Sequence, residues 1–569
     1  MSKVFTATAI SPGLGLGQLQ RCNSYRISTP NPDPAQLLAQ ECLALQGLLQ
    51  RQDLPQDQRQ LLEADHLMLS DPELLEALQQ RLGQGDSLAQ VLRQLFAEHA
   101  EVLASLPDPE LAKRANDMHQ LGERLARQSL GQNLQLPQIL PEPTILAVPD
   151  LTAAEFIQLP KENLQGVVLG QGSATDHLAI LLRSAGIPAL VLTDACGRLS
   201  SGPTLIDGDR GQLTLGQNEE ELQLFTQALA RWQRQQRLYQ QGMEKPAHTA
   251  DGDEIWLGAN IGTEEEASQV LEFGLDGIGL LRTEFLYMAE GGWPDSERQL
   301  IMYRAIAEQL DGKPLVIRTF DFGADKNLPG LAQEEPNPAL GLRAIRLGLQ
   351  QPERLRQQLR AIVRLADEFP VRLLLPMISL PEEVEMVRSL LDQVQNECRL
   401  APRLPVGVMI ETPAAAMSLD LLAPLVDFAS IGSNDLAQYC LAADRLHARL
   451  TPHYPALSPP VLRLLQHICQ QAQVHKLPLS ICGELGADLK AIDLLLAMGL
   501  RSFSIPARQC GPVKHRMAQY RDQWGQILLD QALACASNDA LSTLLNDCVN
   551  NGLSATIEAI SSPPAHRSD

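Results

Sequence analysis

The chain has 569 residues, which at about 150 residues per domain implies two to four domains. A hydrophobic fraction of 44% supplies a large core, whereas aromatics at 4% are too few for a base-stacking nucleic-acid platform. The formal net charge of −22 repels phosphate backbones and anionic membranes, and it reports first a soluble surface and second an affinity for basic protein partners. The ten cysteines show no CxxC pair and no metal-finger spacing, and the opening MSKVFTATAISPGLGLG lacks an apolar signal core. No stretch approaches the roughly 18 apolar residues of a membrane span. These features predict reduced thiols and a soluble, cytoplasmic protein with neither nucleic acid nor membrane as partner.

Val4 to Ile10 reads as a strand, and the following Ser11-Pro-Gly-Leu-Gly-Leu-Gly17 as a turn-rich segment. From about Pro34 to Asn133, leucines recur at helical spacing in runs separated by Pro or Gly, which predicts a bundle of about four helices inserted after the first strand. Short apolar runs return at Thr144–Val148, Val167–Leu169, Ala189–Leu192 and Gln212–Leu215, as in a compact α/β unit that shares its sheet with the N-terminal strand. Asn218 to Met243 is polar and Gln-rich, with no Pro or Gly before Gly242, and reads as one long connecting helix.

The second half alternates strands and helices. Candidate strands are Ile255–Ile261, Gly277–Leu281, Leu315–Thr319, Arg372–Ile378, Pro405–Ile410, Asp427–Ile431, Leu479–Cys482 and Ser502–Ile505, the proportions of a (β/α)8 barrel. The tail from about Ile560, rich in Ser, Pro and Ala, reads as disordered. The expected domains are 1–24 plus 134–217 (α/β), 25–133 (helical bundle), 218–247 (linker helix) and 248–550 (barrel), with 551–569 as tail.

Barrels place chemistry at the C-terminal ends of their strands. Those ends carry Arg282, Arg318, Glu411, Asn434, Asp435 and Cys482, with Arg445 a little beyond. Guanidinium forks suit a substrate bearing both phosphate and carboxylate. Glu411 and Asp435 supply the hard oxygen ligands that Mg²⁺ requires. Single arginines are usually surface ion-pair formers, but random surface charge does not follow the barrel period. Cys482 reads either as a buried structural thiol or, at a strand end beside Glu484, as a proton donor to an enolate. In the α/β unit, Gly170-Gln-Gly-Ser-Ala-Thr-Asp-His177 leads into an apolar helix whose free N–H groups suit a phosphate. His177 there is either a helix-start residue or a nucleophile.

LLRTEFLYM, VIRTFDFGADK, NPALGLRAIR, GVMIETPAA, SIGSNDLAQYCLAADR and ICGELGAD, in this order, resemble Enzyme I of the bacterial sugar phosphotransferase system, the phosphoenolpyruvate–protein phosphotransferases. The bundle segments DHLMLSDPEL and AKRANDMHQLGERL resemble that family's carrier-binding helices. The resemblance implies a multidomain α/β protein: a swivelling phosphohistidine domain with an inserted bundle, then a phosphoenolpyruvate-binding barrel. It implies His177 as the phosphorylated histidine and Cys482 as proton donor. Arg282, Arg318, Asn434, Asp435 and Arg445 fall on substrate-binding positions, and Glu411 and Asp435 on Mg²⁺ positions. Partners implied are phosphoenolpyruvate, an HPr-type phosphocarrier and a second copy joined through the barrel.

The chain departs from the family pattern Gly-Gly-Arg-Thr-Ser-His, reading Gly172-Ser-Ala174-Thr-Asp176-His177. Asp176 either repels an incoming phosphoryl group or orients the imidazole. Ala324 replaces a glycine before Asp325-Lys326, and Pro506 replaces a serine after the last strand. Two rivals follow: a regulatory paralogue that binds phosphoenolpyruvate with weak or no transfer, and a metal-dependent aldolase or lyase on the same barrel. A dikinase lacks support, because no P-loop is visible.

Overall fold

The computed structural model describes residues 3–22, 25–27, 33–51, 56–82, 86–105, 109–134, 136–172, 177–193, 199–216, 218–289, 292–323, 335–399, 403–445, 447, 449–551 and 553. The chain forms two compact units, Met1–Gln235 and Gln236–Asp569.

In the first unit, an eight-stranded sheet runs β1 (Lys3–Thr6), β10 (Gln212–Leu215), β9 (Pro203–Asp207), β3 (Leu14–Arg21), β6 (Thr144–Val148), β7 (Leu164–Leu169), β8 (Ala189–Val191), β2 (Thr8–Ser11). Strands β3, β6, β7 and β8 pair in parallel at its centre. β6 (TILAV) and β7 (LQGVVL) are apolar and buried almost throughout, as fits strands covered on both faces, whereas β3 (LGLGQLQR) alternates buried and more exposed positions. The segment expected as one strand over Val4–Ile10 is two, β1 and β2, at opposite edges of the sheet. The glycine-rich run expected as a turn is largely β3. Glycine there serves close approach, since a Cβ on Gly15 would lie 1.9 Å from the Gln165 carbonyl oxygen.

Among the described residues the bundle has five helices, α1 (Pro34–Leu49), α2 (Gln56–Leu69), α3 (Pro72–Leu82), α4 (Leu88–Ser105) and α5 (Pro109–Ser129). The run LLEADHLMLSDPELLEALQQRL divides at Ser70–Asp71, because Pro72 opens a new helix and the Asp71 carboxylate accepts from the Glu73 N–H at 2.9 Å. Leu62, Leu78, Val91, Leu92 and Leu125 are fully buried between these helices. Two short strands, β4 (Tyr25–Ile27) and β5 (Gln132–Leu134), pair antiparallel where the insertion leaves and rejoins the sheet domain. Helix α6 (Ala153–Gln158) starts from a Thr152/Glu155 capping box, and α7 (His177–Ser184) follows β7. Helix α8 (Glu219–Met243) runs through the junction of the two units.

The second unit is a closed parallel barrel: β12 (Glu254–Ile261), β13 (Ile278–Arg282), β14 (Leu315–Arg318), β15 (Val371–Leu375), β16 (Val406–Ile410), β17 (Phe428–Gly432), β18 (Leu479–Cys482) and β19 (Ser502–Ile505), with β19 pairing back onto β12. The short β11 (Ala247–His248) pairs antiparallel with β12. Leu280, Val316, Leu374, Met409, Phe428 and Cys482 form one apolar cluster from six different strands. Strand β15 ends at Leu375 rather than at Ile378, because Met377 takes a left-handed backbone with φ of 55°. The tail from residue 554 lies outside the described residues, and among those described no helix is long and apolar enough to cross a membrane.

Candidate active site

The C-terminal ends of β13, β14, β16, β17 and β18 open into one cavity of about 1070 Å³. Arg282, Arg318, Glu411, Asn434, Asp435, Arg445 and Cys482 all line it, so the seven candidate substrate, metal and proton-donor residues of the barrel share one space. His177 belongs to the other unit, where it is the first residue of α7. Its side chain, and the whole of Ser173–Asp176, lie outside the described residues, as do Ala324, Asp325 and Lys326.

Arg318 is buried at the end of β14. Its Nη2 donates to Glu284 Oε1 at 2.5 Å and lies 3.3 Å from Asp321 Oδ2. Burial works against its charge, but Glu284, Asp321 and Glu411 more than offset that and hold the guanidinium firmly protonated. Arg282 stacks on the Phe285 ring with its guanidinium carbon 4.9 Å from the centroid. Burial pulls its pKa down, opposed by Glu284. The Nε groups of both arginines are buried without an acceptor among the described residues. A buried N–H left unpaired is costly, so this pair of donors is a ready complement for the oxygens of an anion.

Arg343 was not singled out from sequence. It is the largest fully buried side chain of the protein's described residues. Its Nε and Nη2 donate to Asp321 at 2.9 and 3.1 Å, and its Nη1 and Nη2 donate to Asp435 at 3.1 and 3.0 Å. A fifth bond, from Nη1 to the Tyr439 hydroxyl at 3.1 Å, uses the remaining N–H. Arg343 is therefore fully engaged by protein, in contrast to Arg282 and Arg318. Its role is to orient Asp435. The signal available in the sequence was its place in GLRAIR, far past the end of β14.

Glu411, at the end of β16, is fully buried and accepts from the Met377 N–H at 2.6 Å. Burial first, then the negative charges of Asp435 and Asp321, push its carboxyl up. The strained backbone of Met377 thus serves to aim an N–H at this carboxylate. Two adjacent buried carboxylates that disfavour each other's charge are relieved by a bound cation. The donor set is hard oxygen, with room beside it for substrate oxygens and water, and fits a divalent metal.

At the β17 end, Asn434 Oδ1 accepts from the Glu484 N–H at 3.0 Å and its amide donates to Glu484 Oε1 at 3.3 Å. Gly483 makes this junction possible. Its φ is 90°, and a Cβ there would lie 2.5 Å from Ser433 Oγ. Arg445 is half-buried, its backbone N–H donating to Gln438 Oε1 at 3.2 Å. Cys482 is buried at the end of β18, and burial pushes its thiol up to about 11 while the Ser430 hydroxyl pulls the other way. The thiol is protonated at neutral pH, as a proton donor requires.

Three domains of the PEP-utilising enzymes match the chain: the N-terminal domain over residues 6–114, the mobile domain over 140–211 and the PEP-binding domain over 236–521. Among curated relatives, the phosphoenolpyruvate-protein phosphotransferase of Staphylococcus carnosus is 34% identical over 504 residues, 87% of this chain and 88% of its own. That of Priestia megaterium is 31% identical over 561 residues, covering 95% and 98%. That of Bacillus subtilis is 32% identical over 504 residues, covering 87% and 88%.

Proposed function

Because the chain belongs to the phosphoenolpyruvate-protein phosphotransferase family, we propose that it transfers the phosphoryl group of phosphoenolpyruvate to His177 and from there to an HPr-type phosphocarrier of the sugar phosphotransferase system. The protein is a phosphoenolpyruvate-dependent transferase. The observation that carries the residue assignments is the pair of buried, unpaired Nε donors on Arg282 and Arg318, on the same cavity as Glu411 and Asp435.

Arg282, Arg318 and Arg445 bind the phosphate and carboxylate of the substrate, and Asn434 fixes its orientation. Glu411 and Asp435 would hold a divalent ion, Mg²⁺ in this reading, which when bound would supply positive charge against the developing charge on the substrate oxygens. The His177 imidazole attacks phosphorus, the N–P bond forms, the P–O bond breaks, and pyruvate enolate leaves with the electron pair. Cys482 then gives its proton to C3 of the enolate. Helix α8 is the arm on which the histidine domain travels, and the bundle receives the carrier. Where Ser173–Asp176 replaces the family's loop, Asp176 sets how readily His177 is loaded. Exposed Met386, Met417 and Leu421 on barrel helices, with exposed Leu380 at a helix N-cap, support a homodimer through the barrel. The cytoplasm is the compartment that suits ten cysteines with no pairing pattern.

The lyase alternative gives no purpose to the first unit, which the relatives match as well as the barrel. Incubation with radiolabelled phosphoenolpyruvate and Mg²⁺ tests the proposal. Wild type is expected to take up label and His177→Ala to take up none. Pyruvate release unchanged in His177→Ala would favour a lyase, and no label on wild type with its carrier present would favour a binding protein.

A further inference from the structure

Residues two apart on a strand share a face. On β17, Phe428 belongs to the apolar cluster inside the barrel and Gly432 lines the cavity, so Ser430 lies between them on the inward face. Ser430 is 1% exposed. Its hydroxyl donates to Cys482 Sγ at 3.5 Å, while Cys482 Sγ donates to the Ile431 carbonyl at 3.4 Å. Strand pairing fixes this arrangement, with Gly432 opposite Cys482 and Ser430 opposite Ser480.

A hydroxyl inside an apolar barrel is unfavourable unless it finds a partner, and here the partner is a thiol, a weak acceptor. The same O–H directed at a thiolate makes a charge-assisted bond, about twice as strong as a neutral one. The hydroxyl therefore stabilises Cys482 most after its proton has gone.

We propose that Ser430 is a positioning residue for proton transfer: it pins the Cys482 sulfur at the cavity floor and stabilises the thiolate formed when pyruvate enolate is protonated. This rests on the reading of Cys482 as the proton donor. In the step, the electron pair of the enolate takes the proton from Sγ, the C3–H bond forms, and sulfur keeps the pair of the broken S–H bond. The Ser430 O–H holds that thiolate until water returns the proton after pyruvate departs. With the sulfur pinned, its proton swings between the Ile431 carbonyl and the cavity, so delivery comes from one side only.

Facial selectivity is the readout, because a merely structural role would not move it. Full-length protein with Mg²⁺ and its carrier turns over phosphoenolpyruvate bearing tritium at one C3 position in D2O, and the chiral methyl group of the pyruvate is analysed. Wild type is expected to give one configuration in excess. Ser430→Ala is expected to lose most of that excess and to slow pyruvate formation about tenfold. Ser430→Thr, which keeps the hydroxyl, is expected to restore selectivity, and Ser430→Cys, a weaker donor, to fall between. Wild-type selectivity in Ser430→Ala and Ser430→Cys, with selectivity lost in Cys482→Ala, overturns the proposal while leaving Cys482 as donor. Selectivity retained in Cys482→Ala overturns both.

Discussion

Arg343 grips Asp435 with two nearly equal hydrogen bonds, 3.1 Å from Nη1 and 3.0 Å from Nη2, while the far side of the same guanidinium grips Asp321. The two carboxylates stand on either side of one planar cation, and Glu411 senses the charge of both. Burial lowers the tendency of Arg343 to stay charged, but Asp321 and Asp435 outweigh it and hold the guanidinium protonated at any working pH.

Lysine cannot reproduce this. It brings one charge and three donors from a single atom, so Asp435 is left free to turn. Arg343→Lys is expected to raise the half-saturating Mg²⁺ concentration by about 10- to 100-fold, the usual range for a residue that orients a metal ligand. Titration of activity with Mg²⁺, together with Mn²⁺ binding followed by electron paramagnetic resonance, checks this. An unchanged binding curve would detach Arg343 from the metal carboxylate.

Arg318 behaves differently on truncation. From sequence alone, Arg318→Ala is expected to lower transfer severely and leave the fold intact. The structure adds that fully buried Glu284 loses its Arg318 ion pair, while Asp321 loses one of two cations and keeps Arg343. Removing one member of a buried ion cluster typically destabilises by about 3–5 kcal/mol. The variant should therefore lose stability as well as transfer, whereas Arg318→Lys should recover most of the stability and little of the transfer. Urea unfolding of the two variants beside wild type separates these outcomes.

The barrel was legible because its strands, covered on both faces, are short apolar runs whose polar residues fall at their ends, and eight such runs set the period on which Arg282, Arg318, Glu411, Asp435 and Cys482 stand out. What escaped reading depends on contacts between distant segments. Glycine in Leu14–Gly17 looks like a turn signal, yet Gly15 is needed because the Gln165 carbonyl passes against the strand. Arg343 lies off the strand period altogether and becomes meaningful only when Asp321 and Asp435 close around it. Met377 gives no sign in sequence that its backbone turns left-handed to reach Glu411.

The Cys482 thiol supports a pH prediction. Burial is the main cause that moves it from an ordinary 9.0 to about 11, so the folded protein holds this proton more tightly than the unfolded chain does. The sign follows: between these values the native state binds more protons, and stability falls as pH rises from 9.0 towards 11. The donor form persists across the same window, so enolate protonation should remain flat through pH 8 and 9 and decline only near 11. Cys482→Ala should slow pyruvate formation more than phosphohistidine formation and should remove this alkaline limb. Stopped-flow measurement of both products against pH tests it. An alkaline limb identical in Cys482→Ala would assign it to another group.

Gly432 offers a way to disturb the metal carboxylates without touching their charge. It lies at the last position of β17, where a Cβ would stand 2.7 Å from Glu411 Oε2, 2.8 Å from Glu411 Cβ and 2.9 Å from Met409 Cγ. Its backbone is ordinary for any residue, so Gly432→Ala adds bulk and no backbone strain. Of the two neighbours, Met409 is flexible and can yield, whereas Glu411 is tethered through Oε1 to the Met377 N–H. The added methyl meets Glu411 at both Cβ and Oε2 and must push that side chain from its place on the cavity. Gly432→Ala is therefore expected to fold with a small loss of stability, about 1–3 kcal/mol for overpacking, and to weaken Mg²⁺ binding at least tenfold. Isothermal titration with Mn²⁺ in the presence of oxalate, a mimic of the enolate, reads the second effect directly. Equal Mn²⁺ affinity in a well-folded Gly432→Ala protein would mean that Glu411 is not a metal ligand.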